Sequence, residues 1–320
     1  MTRFLITGGG GFVGQWLARL LISRGDDVTL AGLGTPETGP AILTAAERRA
    51  THWLTADMRK QDEVEAMLDA ARPDVVVHLA GIAFQPAGDR DPARTYEVNL
   101  IGAVRLLAAL AARRGAGTMD PATLIVGTGV QYGAHLESEL PLDESAEQRP
   151  LTPYAASKTA QEAAALQVFR SSGGRIICTR SFNHSGAGQP AEYLLPALVE
   201  RTRVLQRDGG TTLSLGNDVV RDYLHVTDVA AAYMALVERG RDGEVYNVCS
   251  GTGLTVRQLA ADVLLHAGVS AEISTAHSLV RATDIPALVG SPAKLMRDTG
   301  WAPRRTHADI IDDLLNASKD

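Results

Sequence analysis

The sequence predicts an α/β fold: a doubly wound parallel sheet with a smaller α/β lobe in the C-terminal half. Three observations predict it. Short apolar runs alternate with stretches of helical spacing through residues 4–180, the rhythm of strand–helix–strand units. The runs are continuously apolar, as in Val75-Val76-Val77, which suits strands covered on both faces. The first run ends in glycines that open onto an amphipathic stretch.

Taken in order, residues 4–7 form the first strand. Phe12, Trp16, Leu17, Leu20 and Leu21 share one face of the next helix, which Gly25 closes. Strands are expected at 28–31 and 52–57, a helix at 62–71 and a buried strand at 74–79. A long helix at 98–114, a strand at 123–126, a helix at 154–169 and a strand at 175–180 continue the pattern. The second half loses the rhythm. Helices are expected at 191–208, 256–267 and 309–316, with isolated strands at 211–215, 246–248 and 272–275. Residues 35–40 are the one loop rich in Gly, Pro and Thr, and no internal repeat is visible.

Composition narrows the function classes. The 320 residues carry 31 basic and 37 acidic side chains, a net charge of −6, with 45% hydrophobic and 21% charged residues. These proportions exclude a disordered tail and a disulfide-stapled mini-domain. The acidic balance argues against nucleic-acid binding, which favours a basic face. Cys178 and Cys249 cannot form a disulfide framework or a four-ligand zinc site, so no metal is expected. No leader is legible at residues 1–7, and no run of about 20 apolar residues escapes charged or polar breaks. The expectation is a cytoplasmic protein without a membrane partner.

Residues 7–14, Thr-Gly-Gly-Gly-Gly-Phe-Val-Gly, join the first strand to the first helix. Gly8, Gly11 and Gly14 let the turn tighten, let a pyrophosphate approach the backbone, and let helix pack on strand. Unpaired N–H groups and the macrodipole favour negative charge at that helix start. A dinucleotide site is expected. An acid after the second strand would select NAD, but Gly32 stands there with no adjacent arginine, so NAD and NADP both remain open. Asp57, after the third strand, is either a partner for the adenine amine or a loop cap.

Tyr154 and Lys158 are four residues apart at a helix start and share a face. A phenol titrates near 10, and a close ammonium favours phenolate. Thr128 ends the fifth strand, at the edge where open α/β sheets bind ligands, and offers a hydroxyl to the reacting oxygen.

With these residues the chain resembles the extended short-chain dehydrogenase/reductase family of nucleotide-sugar epimerases, dehydratases and reductases. Residues 7–14 match its TGxxGFxG turn, 78–81 its cofactor-lining segment, Asn99 its helix asparagine, 128–133 its Ser/Thr-x-x-x-Tyr-Gly segment and 154–158 its YxxxK. The resemblance runs from residue 2 to about 315. It implies a Rossmann-like cofactor domain at 1–182, with 217–247 interleaved, and a nucleotide-sugar lobe at 183–216 and 248–320. It implies NAD(P)H contacts from Gly8, Gly11, Phe12, Val13, Gly14, Asp57, Met58, Leu79, Ala80, Gly81, Asn99, Tyr154 and Lys158. A homodimer through the helices at 98–114 and 154–169 is implied as well.

The branch is narrowed by departures. Dehydratases of the family carry an acid two positions before the tyrosine that follows the Ser/Thr; here that residue is Val130, after Gly129. Elimination then lacks its general base. Residues 180–189, Arg-Ser-Phe-Asn-His-Ser-Gly-Ala-Gly-Gln, resemble the R-x-FNH-x-GPGQ segment of GDP-4-keto-6-deoxy-mannose reductases, with Ala187 where proline is usual. Residues 221–228 resemble the RD-[FY]-x-x-V-x-D stretch, 281–286 the later R-x-x-D segment and 299–303 the GW-x-P signature. By this resemblance Thr128, Asn183, Arg221, Arg281 and Asp284 hold a nucleotide-diphosphate sugar, the arginines meeting phosphate with their planar forks. Gly81-Ile82-Ala83-Phe84 lacks the serine and the histidine or valine often found there. His184 is a substrate contact or a core histidine.

The implied activity is reduction of the C4 ketone of a nucleotide-activated 4-keto-6-deoxy sugar, best GDP-4-keto-6-deoxy-D-mannose to GDP-D-rhamnose. Tyr154 would be the general acid, Lys158 would lower its pKa, and Thr128 would orient the oxygen. The alternatives are a nucleotide-sugar 4-epimerase with tightly held NAD and a non-catalytic dinucleotide sensor.

Overall fold

A computed structural model describes residues 1–35, 39–276, 279–280 and 284–317. Seven parallel strands form the main sheet: β1 (Arg3–Thr7), β2 (Asp27–Gly32), β3 (Thr51–Thr55), β4 (Val75–His78), β5 (Ala122–Thr128), β6 (Ile176–Ser181) and β7 (Val245–Val248). Their order is 7-6-5-4-1-2-3. The reversal beside β1 opens a crevice at the carboxyl ends of β1 and β4, the place where doubly wound sheets bind ligands. This is the Rossmann-like α/β fold that the sequence predicts.

Both faces of the sheet are covered. Leu17, Ala18 and Leu21 of the helix Phe12–Ser23 share one core with Val229, Tyr233 and Leu236 of the helix Val226–Arg239. Val64 and Leu68 pack with Leu106 and Leu110 in another core that includes Leu5 and Val76. A separate core joins Leu195, Leu198 and Val199 to Leu259, Val263, Ile310 and Leu314.

Several sequence expectations are corrected. The strand expected as isolated at 246–248 is β7, an edge of the main sheet, pairing Tyr246 with Thr179 and Asn247 with Arg180. The strands expected as isolated at 211–215 and 272–275 pair with each other in parallel, Leu213 opposite Ile273. The helix Val226–Arg239 and the strand Val220–His225 before it were not expected. The long helix starts earlier than 98 and contains a π-helical turn, Glu97–Ile101. The run Pro92–Gly115 is long and apolar enough, by length and composition alone, to cross a membrane, but Arg94, Glu97, Asn99 and Arg105 interrupt it. Its apolar character has a packing explanation, because Leu106, Leu107, Ala109 and Leu110 lie in the cores beside the sheet.

Candidate active site

The glycine turn is built for close backbone approach. Gly8 has φ +69°, and a Cβ there would lie 2.8 Å from the Ala80 amide nitrogen. A Cβ on Gly14 would lie 2.7 Å from Gly9 Cα, so helix and turn touch without side chains between them. At Gly11, the N-cap, a Cβ would meet only the Gly8 carbonyl oxygen, at 3.2 Å. The first helical amides, at Phe12 and Val13, have no partner within the helix. This cradle fits a dinucleotide diphosphate. Gln15 braces it: its amide donates to Gly10 O (3.0 Å) and its oxygen accepts from the amides of Ile42 and Leu43.

Beyond the turn, the space that a side chain at Gly32 would fill is faced by the Trp53 ring, 3.5 Å from the Cβ position. The same ring lies 3.0 Å from a Cβ placed on Gly10. Sequence reading missed Trp53, because nothing in its strand pattern says which glycines it covers. Asp57 caps its own loop, accepting from the Arg59 amide (3.0 Å) and pairing with its guanidinium (2.6 Å), which holds the carboxyl below its usual range. Met58 is buried against Gly102.

The inner wall is fixed by hydrogen bonds. The amides of Leu79 and Ala80 donate to the carbonyl and hydroxyl of Thr7. Thr7 Oγ1 also meets His78 Nδ1 at 2.8 Å, and burial keeps that imidazole neutral, its pKa down to about 3. The π-helical turn presents Asn99, which binds both the amide (2.7 Å) and the carbonyl (3.2 Å) of Ile82 and donates to Ser157 Oγ (3.0 Å). A Cβ on Gly81 would lie 2.9 Å from Asn99 Oδ1 and 3.6 Å from Lys158 Nζ, so these three residues converge.

Tyr154 and Lys158 open the helix Pro153–Ser172, started by Pro153 at N1 and the Thr152 hydroxyl accepting from the Ala155 amide. Thr128, at the end of β5, faces the Tyr154 phenol closely enough to ease its ionisation. Lys158 Nζ donates to Val126 O (2.9 Å) and Gln161 Oε1 (2.8 Å). The expected direction of the phenol shift is corrected. Burial pushes Tyr154 up to about 12, and it is Thr128 that pulls it back. Burial also lowers the Lys158 ammonium to about 8. The four-residue spacing predicts shared orientation, but both groups lie in a desolvated site where the charged form of each is disfavoured.

On the opposite side, Asn183 stands opposite Tyr223 in a parallel strand pair and opposes the rise that burial gives that phenol. Arg221 is anchored through Nη1 to the carbonyls of Val220 (2.8 Å) and Ile285 (2.7 Å). Burial depresses this guanidinium and nearby Asp284 supports it. Asp284 in turn accepts from Asn217 (2.8 Å). Arg221 and Asp284 are therefore brought together, whereas Arg281 lies outside the described residues. His184 stacks parallel to Phe12 of the glycine turn at 6.4 Å, its Nδ1 bonded to Phe182 O. Asp222, beside Arg221, is structural: it accepts from Ser250 and from the amides of Gly251 and Gly290.

Comparison with known proteins gives this geometry a family. The family model for GDP-mannose 4,6 dehydratase matches residues 5–314. The chain belongs to that family, within the extended short-chain dehydrogenases/reductases. This family member is 35% identical to the GDP-6-deoxy-D-mannose reductase of Pseudomonas aeruginosa, over 98% of this chain and 96% of that protein. Its fold matches RMD from Pseudomonas aeruginosa complexed with NADPH, with TM-score 0.82 and 32% identity over 99% of this chain and 98% of the other. It also matches the Thermus thermophilus UDP-glucose 4-epimerase complexed with NAD, with TM-score 0.83 and 30% identity over 98% and 99%.

Proposed function

We propose that this chain uses NAD(P)H to reduce the C4 ketone of a nucleotide-activated 4-keto-6-deoxy sugar, with GDP-4-keto-6-deoxy-D-mannose, giving GDP-D-rhamnose, as the best substrate. The observation that carries this reading is the convergence of Thr128, Tyr154 and Lys158 at one crevice, Lys158 bonding Val126 O on the strand that ends in Thr128, with Val130 where a dehydratase of the family has its acid. The likeness to a GDP-6-deoxy-D-mannose reductase supports the same branch.

The bound nicotinamide supplies the hydride. Tyr154, protonated up to about pH 12, gives its proton to the oxygen forming at C4. Thr128 holds that oxygen in line. Lys158, on the same helix face, keeps a positive charge behind the phenol below about pH 8. Arg221 meets the diphosphate with Asp284 and Asn183 flanking it.

Purified protein mixed with reduced cofactor and GDP-4-keto-6-deoxy-D-mannose is expected to consume cofactor stoichiometrically. No consumption with GDP- or dTDP-ketosugars, together with NAD retained through purification, would favour the 4-epimerase.

The cofactor domain is read as 1–182 with 217–247, and the sugar-nucleotide lobe as 183–216 with 248–320. A homodimer through the helices at 98–114 and 154–169 is supported by Ile101 and Val104, each 39% exposed on the first of these. Light scattering should give twice the chain mass; the mass of one chain would reject the dimer. A cytoplasmic location suits two unpaired thiols, Cys178 and Cys249.

A further inference from the structure

One departure noted in the sequence, Phe84, occupies a place the reaction scheme leaves unused. Phe84 follows β4 and meets Tyr193 edge-on, ring centroids 5.6 Å apart at 66°. Tyr193 is the N-cap of the helix Leu194–Asp208, so the pair spans the cleft from the cofactor side to the opposite wall. Both rings are half-buried.

The Phe84 segment packs on Tyr154. Asn99 fixes both backbone groups of Ile82, two residues before Phe84. The Gly88 amide donates to the Phe84 carbonyl (3.2 Å), and a Cβ on Gly88 would lie 3.5 Å from Tyr154 Cβ. The Phe84–Tyr193 pair therefore sits one helical turn from the residue that packs on Tyr154, on the side of the cleft where the sugar must lie.

In a pyranose, C4 is flanked by C3 with its hydroxyl and by C5 with its exocyclic carbon. Only a methyl group at that exocyclic position asks for no hydrogen bond. A hydroxymethyl pressed against ring carbons would lose its water without gaining a partner, which is costly. We propose that Phe84 and Tyr193 form the wall that selects a sugar with a C6 methyl over one with a C6 hydroxymethyl. The proposal rests on the sugar-nucleotide reading above and adds the residues that set its specificity.

GDP-6-deoxy-D-mannose and GDP-D-mannose differ only in the C6 hydroxyl and probe the wall by calorimetric titration in the presence of NADP⁺. The wild type is expected to prefer the deoxy sugar by about 10- to 100-fold, the range an apolar pocket achieves against an added hydroxyl. Phe84→Ser should reduce the preference to within about 3-fold. Phe84→Leu should keep most of it, and Tyr193→Phe should keep it because the ring edge, not the hydroxyl, meets the methyl. NADPH affinity should stay unchanged in all three, which separates a lost wall from a lost fold. An unchanged preference in Phe84→Ser, or equal wild-type binding of both sugars, would overturn the wall while leaving the reductase reading in place. Binding of neither sugar would overturn both.

Discussion

Tyr154→Phe is expected to lower kcat by about 10²- to 10⁴-fold, the range supplied by a positioned proton donor, while NADPH and the sugar nucleotide bind at near wild-type affinity. The substitution removes one oxygen and leaves the buried ring in place, so packing at the start of Pro153–Ser172 is kept. Thr128 retains a role as N-cap of Gly129–Tyr132, so its hydroxyl stays oriented. Single-turnover kinetics with titrated binding separates the chemical step from affinity. A loss below about 10-fold would move the proton donor away from Tyr154. A protein whose biological activity survived the change intact would be the dinucleotide sensor instead. The wild-type pH profile adds a check. Tyr154 stays protonated to about 12, so it sets no limb in the working range. Lys158 loses its proton near 8, and kcat/KM should fall as pH rises through that value. A limb displaced to higher pH, and absent from Tyr154→Phe, would assign the titration to the phenol.

What the sequence disclosed, and what it did not, follows from how far each signal reaches along the chain. The first six strands of the main sheet lie in apolar runs flanked by helical spacing, and glycine, tyrosine and lysine spacings are local. These features were legible. The seventh strand was found but misplaced, because its pairing with β6 joins Tyr246 to Thr179 across an intervening lobe. The helix Val226–Arg239 escaped detection because most of its surface is buried. Val226, Val229, Ala230, Ala232, Tyr233, Met234, Ala235 and Leu236 leave no broad polar stripe to mark a period, and the preceding strand ends directly at its N-cap, His225. The π-helical turn at Asn99 adds a residue to a turn inside an otherwise ordinary helix and leaves no compositional trace. Within the site, residue spacing disclosed that Tyr154 and Lys158 share a face, but the direction of the phenol shift depends on burial. Trp53 over Gly10 and Gly32, and Tyr193 against Phe84, are contacts between segments whose meeting only the fold determines.

The largest stability loss is expected from Glu162→Ala, about 3–5 kcal/mol, the cost of leaving one partner of a buried ion pair alone. Arg180 and Glu162 are each 6% exposed and paired in a fork, Nη2 to Oε1 at 2.7 Å and Nε to Oε2 at 2.9 Å. Burial alone would depress the guanidinium, and Glu162 together with Tyr132 more than reverses that. The arginine also bonds Glu144 O and lies over the Tyr132 ring at 4.8 Å, while Glu162 accepts from Gln131 and Gln148. Gln131 in turn accepts the Thr128 amide at 2.7 Å, so the ion pair is two hydrogen bonds from the backbone that carries the catalytic threonine. Denaturant midpoints of Glu162→Ala, Arg180→Met and the double variant give the coupling directly. The double variant should recover part of the loss because no lone charge remains buried, though Gln148 loses its acceptor and Gln131 keeps only Gln148 Oε1. A single-variant cost under about 1 kcal/mol would mean that the pair is solvated and carries little. At temperatures where Glu162→Ala is folded, kcat should fall with KM for the sugar nucleotide nearly unchanged, because Gln131, left with Gln148 alone, holds the Thr128 amide less firmly. A full rate in that variant would confine the network to stability and detach it from the position of the catalytic threonine.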